Sequence, residues 1–208
     1  MGGRWYSVAL LTTPILLMAV LLALSLFSPE FLPAIFSADD TASLLLSSLA
    51  VGLMFGFCEE LGWTGFAIPR LRQQHGMLTT GLIVGLVWGA WHFLVFWESN
   101  TFSTTFGLAL LLGRLFSWLP PYRVLMVWVH DHTGSLLLAM LTHATLVASG
   151  QILVPPTLTG VALLTYILVW AGALWAVAPG LAFGLGAALS VVAMVVFMAV
   201  KPAAVLPR

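Results

Sequence analysis

Long apolar runs, separated by short polar or proline-containing breaks, dominate the hydropathy pattern of the chain. About 20 consecutive apolar residues are enough for a helix to cross the hydrocarbon core of a bilayer. The runs predict seven helices, listed here with approximate bounds: 8–27, 41–57, 78–97, 104–129, 135–153, 158–178 and 181–200. The predicted fold class is all-α, a polytopic transmembrane bundle of about seven helices, with residues 1–208 forming a single membrane domain.

Prolines and polar clusters set the predicted boundaries. Pro29 and the pair Pro155-Pro156 end the first and fifth helices, and Pro179-Gly180 separates the last two. Proline lacks the backbone N–H of a helix, so Pro120-Pro121 predicts a kink within the fourth helix. The polar segment 130–134 predicts a turn.

The composition agrees with a membrane protein. Hydrophobic residues make up 61% of the chain and charged residues only 7%, with a formal net charge of zero. A soluble domain needs a polar shell that these residues cannot provide, and no basic patch exists for nucleic acid. We therefore predict a multi-pass protein of the cell membrane that contacts lipid and does not bind nucleic acid.

The charged loops predict an orientation. Arg4, Arg70 and Arg72 lie at one end if the first two helices form a hairpin, and the acidic loop 30–40 lies at the other. The positive-inside rule places the arginines in the cytoplasm. Seven spans would place the basic C-terminus outside the cytoplasm, against the rule. The number of spanning helices could therefore differ by one, at the last two predicted helices.

Ionisable residues within the apolar runs are the candidates for function, because each costs about 2.5–3.5 kcal/mol at the centre of a membrane helix. They are the pair Glu59-Glu60, His92, Arg114 and His143. A carboxylate in an apolar site can act as general base on water. Histidines on two other helices could complete the site as base, acid, metal ligand or oxyanion stabiliser.

Structural roles are the alternative for each candidate. A single histidine in a membrane helix also serves as a hydrogen-bond partner, and Arg114 can snorkel or pair with a carboxylate. The tryptophans are interpreted as packing and interfacial residues; they include Trp63, Trp88, Trp91 and Trp97. The functional hypothesis depends on a double glutamate and two helical histidines occurring within one small bundle.

Three segments carry a resemblance to a known family. Residues 59–65 (EELGWTG) precede 69–71 (PRL), residues 88–92 (WGAWH) place an aromatic residue four positions before a histidine, and residues 131–137 (DHTGSLL) lead to His143. The order and spacing resemble the CPBP intramembrane proteases, which include CAAX prenyl endopeptidases and bacteriocin-processing or immunity-type (Abi) proteins. The resemblance covers about residues 42–152, a protease-like core.

The resemblance implies roles for the candidate residues. Glu59 would activate the hydrolytic water with help from His92, Glu60 would orient the site, and His143 would stabilise the oxyanion or hold a metal. Glutamate and two histidines could bind a divalent metal such as zinc, although no HExxH spacing is present. The substrate would be a membrane-associated or prenylated peptide.

Two positions depart from the family pattern. The family has arginine four residues after the second glutamate, where this chain has Thr64, and asparagine four residues after the last histidine, where it has Val147. Threonine can donate one hydrogen bond to Glu60 but supplies no charge. Arg70 or Arg114 could supply it instead, or Glu60 could stay protonated.

The candidates can meet only if the second helix is longer than its apolar run. With its end near Pro69, the glutamates lie roughly 15 Å from the cytoplasmic end, close to the depth of His143. A common site therefore predicts one long helix over about 42–68.

Three hypotheses follow. The leading one is an intramembrane endopeptidase. Thr64 and Val147 motivate a second, a catalytically weak relative that acts as a membrane scaffold or immunity-type binding protein. A small transporter is the third, and it is disfavoured because the polar groups are concentrated in one half of the chain.

Overall fold

The computed structural model describes residues 2–99 and 101–183, with side chains up to residue 178. Within these ranges the chain forms seven helices of ten residues or more, and this confirms the predicted all-α class. They are α1 (Arg4–Ser25), α2 (Thr41–Leu71), α3 (Met77–Trp91), α4 (Thr105–Phe116), α5 (Leu119–Thr133), α6 (Leu136–Leu153) and α7 (Gly160–Phe183). Four helices, α1, α2, α6 and α7, are long and apolar enough to cross a membrane. The protein is a multi-pass membrane protein.

Helix α2 continues well beyond its apolar run, as a common site requires. An α-helical part, Thr41–Gly62, passes without a break into a π-helical turn, Trp63–Ala67, and a last α-helical turn, Ile68–Leu71. The π-turn changes the hydrogen-bond register ahead of Pro69, which then occupies the start of the last turn, where a missing N–H is tolerated. The glutamate pair therefore lies within the helix, not at its end.

Small residues allow α2 to pack closely on α6. Every fourth residue of α2 is buried, and the series is Ser48, Gly52, Gly56 and Glu60. A Cβ atom at Gly52 or Gly56 would overlap a backbone carbonyl oxygen of α6. Small-xxx-small spacing is typical of close helix pairs in membranes. The same face of α2 that brings the two backbones together thus carries Glu60 against α6.

A second glycine series packs α3 on the helices that follow it. A Cβ atom at Gly81 or Gly85 would overlap the α5 backbone, and one at Gly89 would overlap the Leu115 carbonyl oxygen of α4. Helix α5 lies at the centre of the bundle, where residues 119–127 are all buried.

Several predicted boundaries are wrong. The predicted helix 78–97 ends at Trp91, because the His92 side chain also bonds the Trp88 carbonyl and the backbone turns there before a short helix, Phe93–Phe96. The predicted helix 104–129 is two helices, not one kinked helix. Pro120 and Pro121 have no backbone N–H to continue the preceding helix, and they fit the first turn of a new one.

Two further boundaries differ from the prediction. The predicted turn at 130–134 is still helix as far as Thr133, and Gly134, with φ of 60°, ends it in the left-handed conformation. Pro179-Gly180 does not divide two helices, because α7 continues to Phe183, and proline is tolerated in membrane helices when other groups satisfy the freed carbonyl. The remainder of the predicted helix 181–200 lies outside the described residues.

Contacts at one end of the bundle agree with the predicted orientation. Arg72, after α2, pairs with Asp131 of α5 at 2.8 Å. Trp5, next to Arg4 in α1, packs against Trp128 with ring centroids 5.1 Å apart. Arg4 and Arg72 therefore lie at the same end of the bundle, as the positive-inside prediction needs.

Candidate functional site

Glu60 is fully buried and paired with an arginine that the sequence analysis did not select. Arg123 of α5 donates from Nη1 to both carboxylate oxygens of Glu60, at 2.7 and 2.9 Å, and both side chains are 0% exposed. The Arg123 guanidinium also lies 3.9 Å from the Trp88 ring centroid, a cation–π distance. A paired guanidinium favours the carboxylate form of Glu60 over the protonated alternative.

The Glu60 carboxylate also fixes His143 of α6. The distance from His143 Nδ1 to Glu60 Oε1 is 2.7 Å, and Thr64 donates its hydroxyl hydrogen to Glu60 Oε2. A carboxylate only accepts hydrogen bonds, so Nδ1 of His143 carries a hydrogen. In the neutral ring, Nε2 then carries a lone pair and can accept a hydrogen bond. In the imidazolium ion, Nε2 carries a hydrogen and is a second donor.

Glu59, one residue earlier, is held from a different direction. The indole Nε1 of Trp88 in α3 donates to Glu59 Oε2 at 2.8 Å. Among the described residues, Glu59 Oε1 has no hydrogen-bond donor. One oxygen of Glu59 is therefore fixed in position and the other is available to a ligand.

The backbone turn after α3 orients His92. Its Nδ1 lies 2.7 Å from the Trp88 carbonyl oxygen, which can only accept, so Nδ1 carries the hydrogen. The Trp88 ring meets the rings of His92 and His143 edge to face, with centroids 5.0 and 5.3 Å away. Trp88 contacts three of the four candidate side chains, Glu59, His92 and His143, so it is part of the site and its interpretation as a packing residue is corrected.

A cavity of about 680 Å³ joins these groups. Glu59, His92 and His143 all line it, whereas Glu60 and Arg123 lie behind its wall. The remaining lining is mainly aromatic and aliphatic, from α2, α3, α4, α6 and α7, and includes Phe55, Trp91, Val147, Ile167 and Trp170. The structure thus brings three of the four predicted site residues to one cavity and places the fourth directly beneath His143.

The two arginines expected to replace the charge missing at Thr64 do not do so. Arg70 folds back on Phe66, its guanidinium 3.5 Å from the ring centroid. Arg114 pairs with Glu98 at 2.9 Å. Arg123 supplies the charge instead, and the rule that selected Arg114 would have found it, since it also lies among apolar residues.

The predicted divalent metal can be compared with the donors present. In the part of the chain that the structure describes, no three His, Cys, Asp or Glu side chains are grouped so that they could hold a metal ion. The residues as placed do not make a protein-only metal site. The metal stays a prediction of the sequence, and the steps proposed below involve the protein's own groups.

The arrangement is suited to hydrolysis. Glu59, His92 and His143 line one cavity with mainly apolar walls. Among the described residues, Glu59 Oε1 and the Nε2 atoms of both histidines have no hydrogen-bond partner. A carboxylate can take a proton from water there, and an imidazolium N–H can stabilise negative charge on a carbonyl oxygen.

Comparisons with known proteins relate the chain to a family of endopeptidases. Residues 41–149, just over half of the chain, match the family described as type II CAAX prenyl endopeptidase, Rce1-like. A protein named CAAX prenyl protease 2, from Methanococcus maripaludis, is 28% identical over 116 residues, which are 52% of this chain and 39% of that protein. The chain thus spans about two fifths of the length of this relative. The matched residues begin at the start of α2 and end within α6. They include the polar side chains of the site, Glu59, Glu60, His92, Arg123 and His143, whereas the part of the cavity wall from α7 lies outside the match.

Proposed function

Because this chain belongs to the Rce1-like family of type II CAAX prenyl endopeptidases, we propose that it is an intramembrane endopeptidase in which Glu59 activates water against a peptide bond. The observation that carries the proposal is the convergence of Glu59, His92 and His143 on one cavity. Glu59 is proposed as the general base because it lines the cavity and one of its oxygens has no hydrogen-bond donor among the described residues.

The proposed reaction has two steps. Glu59 takes one proton from water, and His92 Nε2 accepts a hydrogen bond from the O–H that remains. The resulting hydroxide oxygen attacks the carbonyl carbon of the substrate. The imidazolium form of His143 donates from Nε2 to the oxyanion, and the Glu60 carboxylate stabilises that ion at Nδ1. The tetrahedral intermediate then breaks its C–N bond, and the protonated Glu59 gives its proton to the leaving amine.

The proposed substrate is a membrane-associated or prenylated peptide. The name of the Methanococcus maripaludis relative refers to a CAAX prenyl protease. The aromatic and aliphatic cavity walls support the proposal, since an apolar chain entering them leaves water or lipid for a surface of matching chemistry. A soluble, fully polar peptide would gain nothing from these walls.

Replacing Glu59 with glutamine tests the proposed base. Glutamine keeps the shape and can still accept the Trp88 hydrogen bond, but it cannot take a proton from water. Cleavage of a fluorescent prenylated peptide by the purified protein should fall by about 10²–10⁴-fold, the usual contribution of a general base. The matched control is Glu30→Gln, which changes a carboxylate in the loop after α1 and should leave the rate unaltered.

If the double variant Glu59→Ala, His92→Ala cleaved the peptide as fast as the unmodified protein, the proposed mechanism would be wrong. The unfolding midpoint of each variant should be measured alongside the rate, so that loss of the base is distinguished from loss of the fold.

A non-catalytic membrane scaffold or immunity-type binding protein is the second candidate. Val147, which lines the cavity where the family has asparagine, favours it. Thr64 no longer does, because Arg123 provides the missing charge. A scaffold would keep its cellular phenotype with Glu59→Ala, whereas an endopeptidase would lose it.

A further inference from the structure

Arg114 places a cation in the cavity that the proposed reaction does not use. It lies near the end of α4, its side chain is 19% exposed, and among the described residues it is the only lysine or arginine that lines the cavity. A charge costs free energy in apolar surroundings, so its presence there is a reason to look for an anionic ligand.

Most of the Arg114 guanidinium is available for binding. Only Nη1 donates hydrogen bonds within the described chain, to Glu98 Oε1 at 2.9 Å and to the Phe96 carbonyl oxygen at 3.4 Å. Nε and Nη2 form the edge that binds a carboxylate through two parallel hydrogen bonds. Glu98 is 56% exposed, and an ion pair with one partner largely in solvent is weak enough for another carboxylate to replace that partner.

Phe96 connects this cation to the proposed catalytic groups. Its ring stacks on His92 with centroids 5.8 Å apart, and the Arg114 guanidinium carbon lies 5.8 Å from the same ring. An extended peptide covers about 3.3–3.6 Å per residue, so the span from His92 to Arg114 is at most about three residues. A peptide bond beside His92 and a chain terminus at Arg114 fit this separation.

We propose that Arg114 binds the free C-terminal carboxylate of the peptide substrate. Arg114 then determines specificity, because it admits chains that end in a carboxylate and fixes cleavage within about three residues of that end. Glu98 occupies the guanidinium when no substrate is bound. This inference rests on the proposed endopeptidase function and adds the feature by which the substrate is recognised.

The experiment uses two synthetic peptides that differ only at the terminus. Each carries a prenylated cysteine followed by three apolar residues, one ending in a carboxylate and the other in a carboxamide. The KM of the unmodified protein should be about 10–100-fold lower for the carboxylate, as expected for a charge-assisted pair shielded from water. Arg114→Gln should bring this ratio close to one, and Arg114→Lys should restore part of it.

Two further variants separate recognition from folding. Glu98→Gln removes the competing carboxylate and should lower the KM for the carboxylate peptide, a result that a structural role for the ion pair would not give. Arg70→Gln removes an arginine outside the cavity and should retain the full ratio. Equal KM values for the two peptides in the unmodified protein, or an equal loss for both in Arg114→Gln, would overturn the proposal.

Binding to the Glu59→Gln variant keeps the two proposals distinguishable. Fluorescence anisotropy of the labelled peptides measures their affinities without turnover. If no variant cleaves either peptide but the carboxylate form still binds more tightly through Arg114, the catalytic proposal fails and the recognition proposal stands. If cleavage depends on Glu59 but both peptides bind equally, the recognition proposal fails and the catalytic proposal stands.

Discussion

At the scale of single residues, Arg123 shows how the site keeps its charge balance without the arginine that the family motif has. An arginine at position 64 would lie one helical turn from Glu60, on the same helix. Here threonine stands at that position and donates a hydrogen bond, and the cation comes from α5. Since Glu60 and Arg123 are both fully buried, neither can be removed without leaving an uncompensated charge.

Arg123→Ala should therefore lower both stability and activity. Breaking a buried ion pair costs about 3–5 kcal/mol, and without it Glu60 would no longer fix His143 in one orientation. The second change Thr64→Arg, made in the Arg123→Ala background, should restore much of both, because the vacated volume admits a guanidinium beside Glu60. Thermal unfolding in detergent and peptide cleavage are the two measurements.

The outcome that contradicts this account is specific. If Arg123→Ala retained full activity, or if Thr64→Arg lowered activity further in that background, Glu60 would not depend on a neighbouring cation. Thr64→Ser is the control, since it keeps the hydroxyl donor and should change little.

The residue types of the site could be predicted from the sequence, but their contacts could not. Glu59, Glu60, His92 and His143 stand out because ionisable groups are costly in apolar runs. Trp88 does not stand out, because tryptophan is common in membrane helices. Its role depends on the hydrogen bond from its indole N–H to Glu59, which forms only when α3 packs beside α2. Arg123 also lies among apolar residues, so the same cost of a charge in an apolar run marks it in the sequence.

At the scale of helices, the glycines determine how near α2 and α6 approach. Gly56 lies one turn before Glu60, at a point where the backbone of α6 leaves no room for a Cβ atom. The bond between Glu60 and His143 spans these same two helices. A change in their separation should therefore alter the site as well as the fold.

The pair Gly56→Ala and Gly62→Ala tests this relation on one helix. Gly56→Ala should destabilise the protein by about 1–3 kcal/mol, the usual cost of overpacking, and should lower activity as the helices move apart. A Cβ atom at Gly62 would meet nothing within 4 Å, so the same substitution there should be neutral or slightly stabilising. Equal effects of the two changes on the unfolding midpoint would show that the close approach is not what Gly56 provides.

Helix boundaries were predicted well only where the breaks are chemical. The ends of α1 and α6 lie beside prolines or polar loops, which hydropathy detects. The turn at His92 depends on a side chain that bonds the Trp88 carbonyl, and the residues on both sides are apolar. Hydropathy averaged over a window of residues stays high across this turn, so the sequence predicts one long helix there.

At the scale of the whole molecule, the contacts between Arg72 and Asp131 and between Trp5 and Trp128 bring one end of α1, α2 and α5 together. The acidic loop between α1 and α2 lies at the opposite ends of these helices. The positive-inside rule then places the end with Arg4 and Arg72 in the cytoplasm. The proposed substrate would have to reach the cavity from that side or from within the bilayer.

Single cysteines at the two ends test this orientation, because Cys58 is the only native cysteine. In a Cys58→Ser background, Asp39→Cys lies in the acidic loop and Gln74→Cys lies in the loop after α2, both at exposed positions. A membrane-impermeant maleimide added to intact cells should label Asp39→Cys and leave Gln74→Cys unlabelled until the membrane is permeabilised. Both should label afterwards, and the background protein should not label at all. The opposite pattern would reverse the orientation, and with it the side from which a cytoplasmic peptide could enter, although the contacts within the bundle would be unaffected.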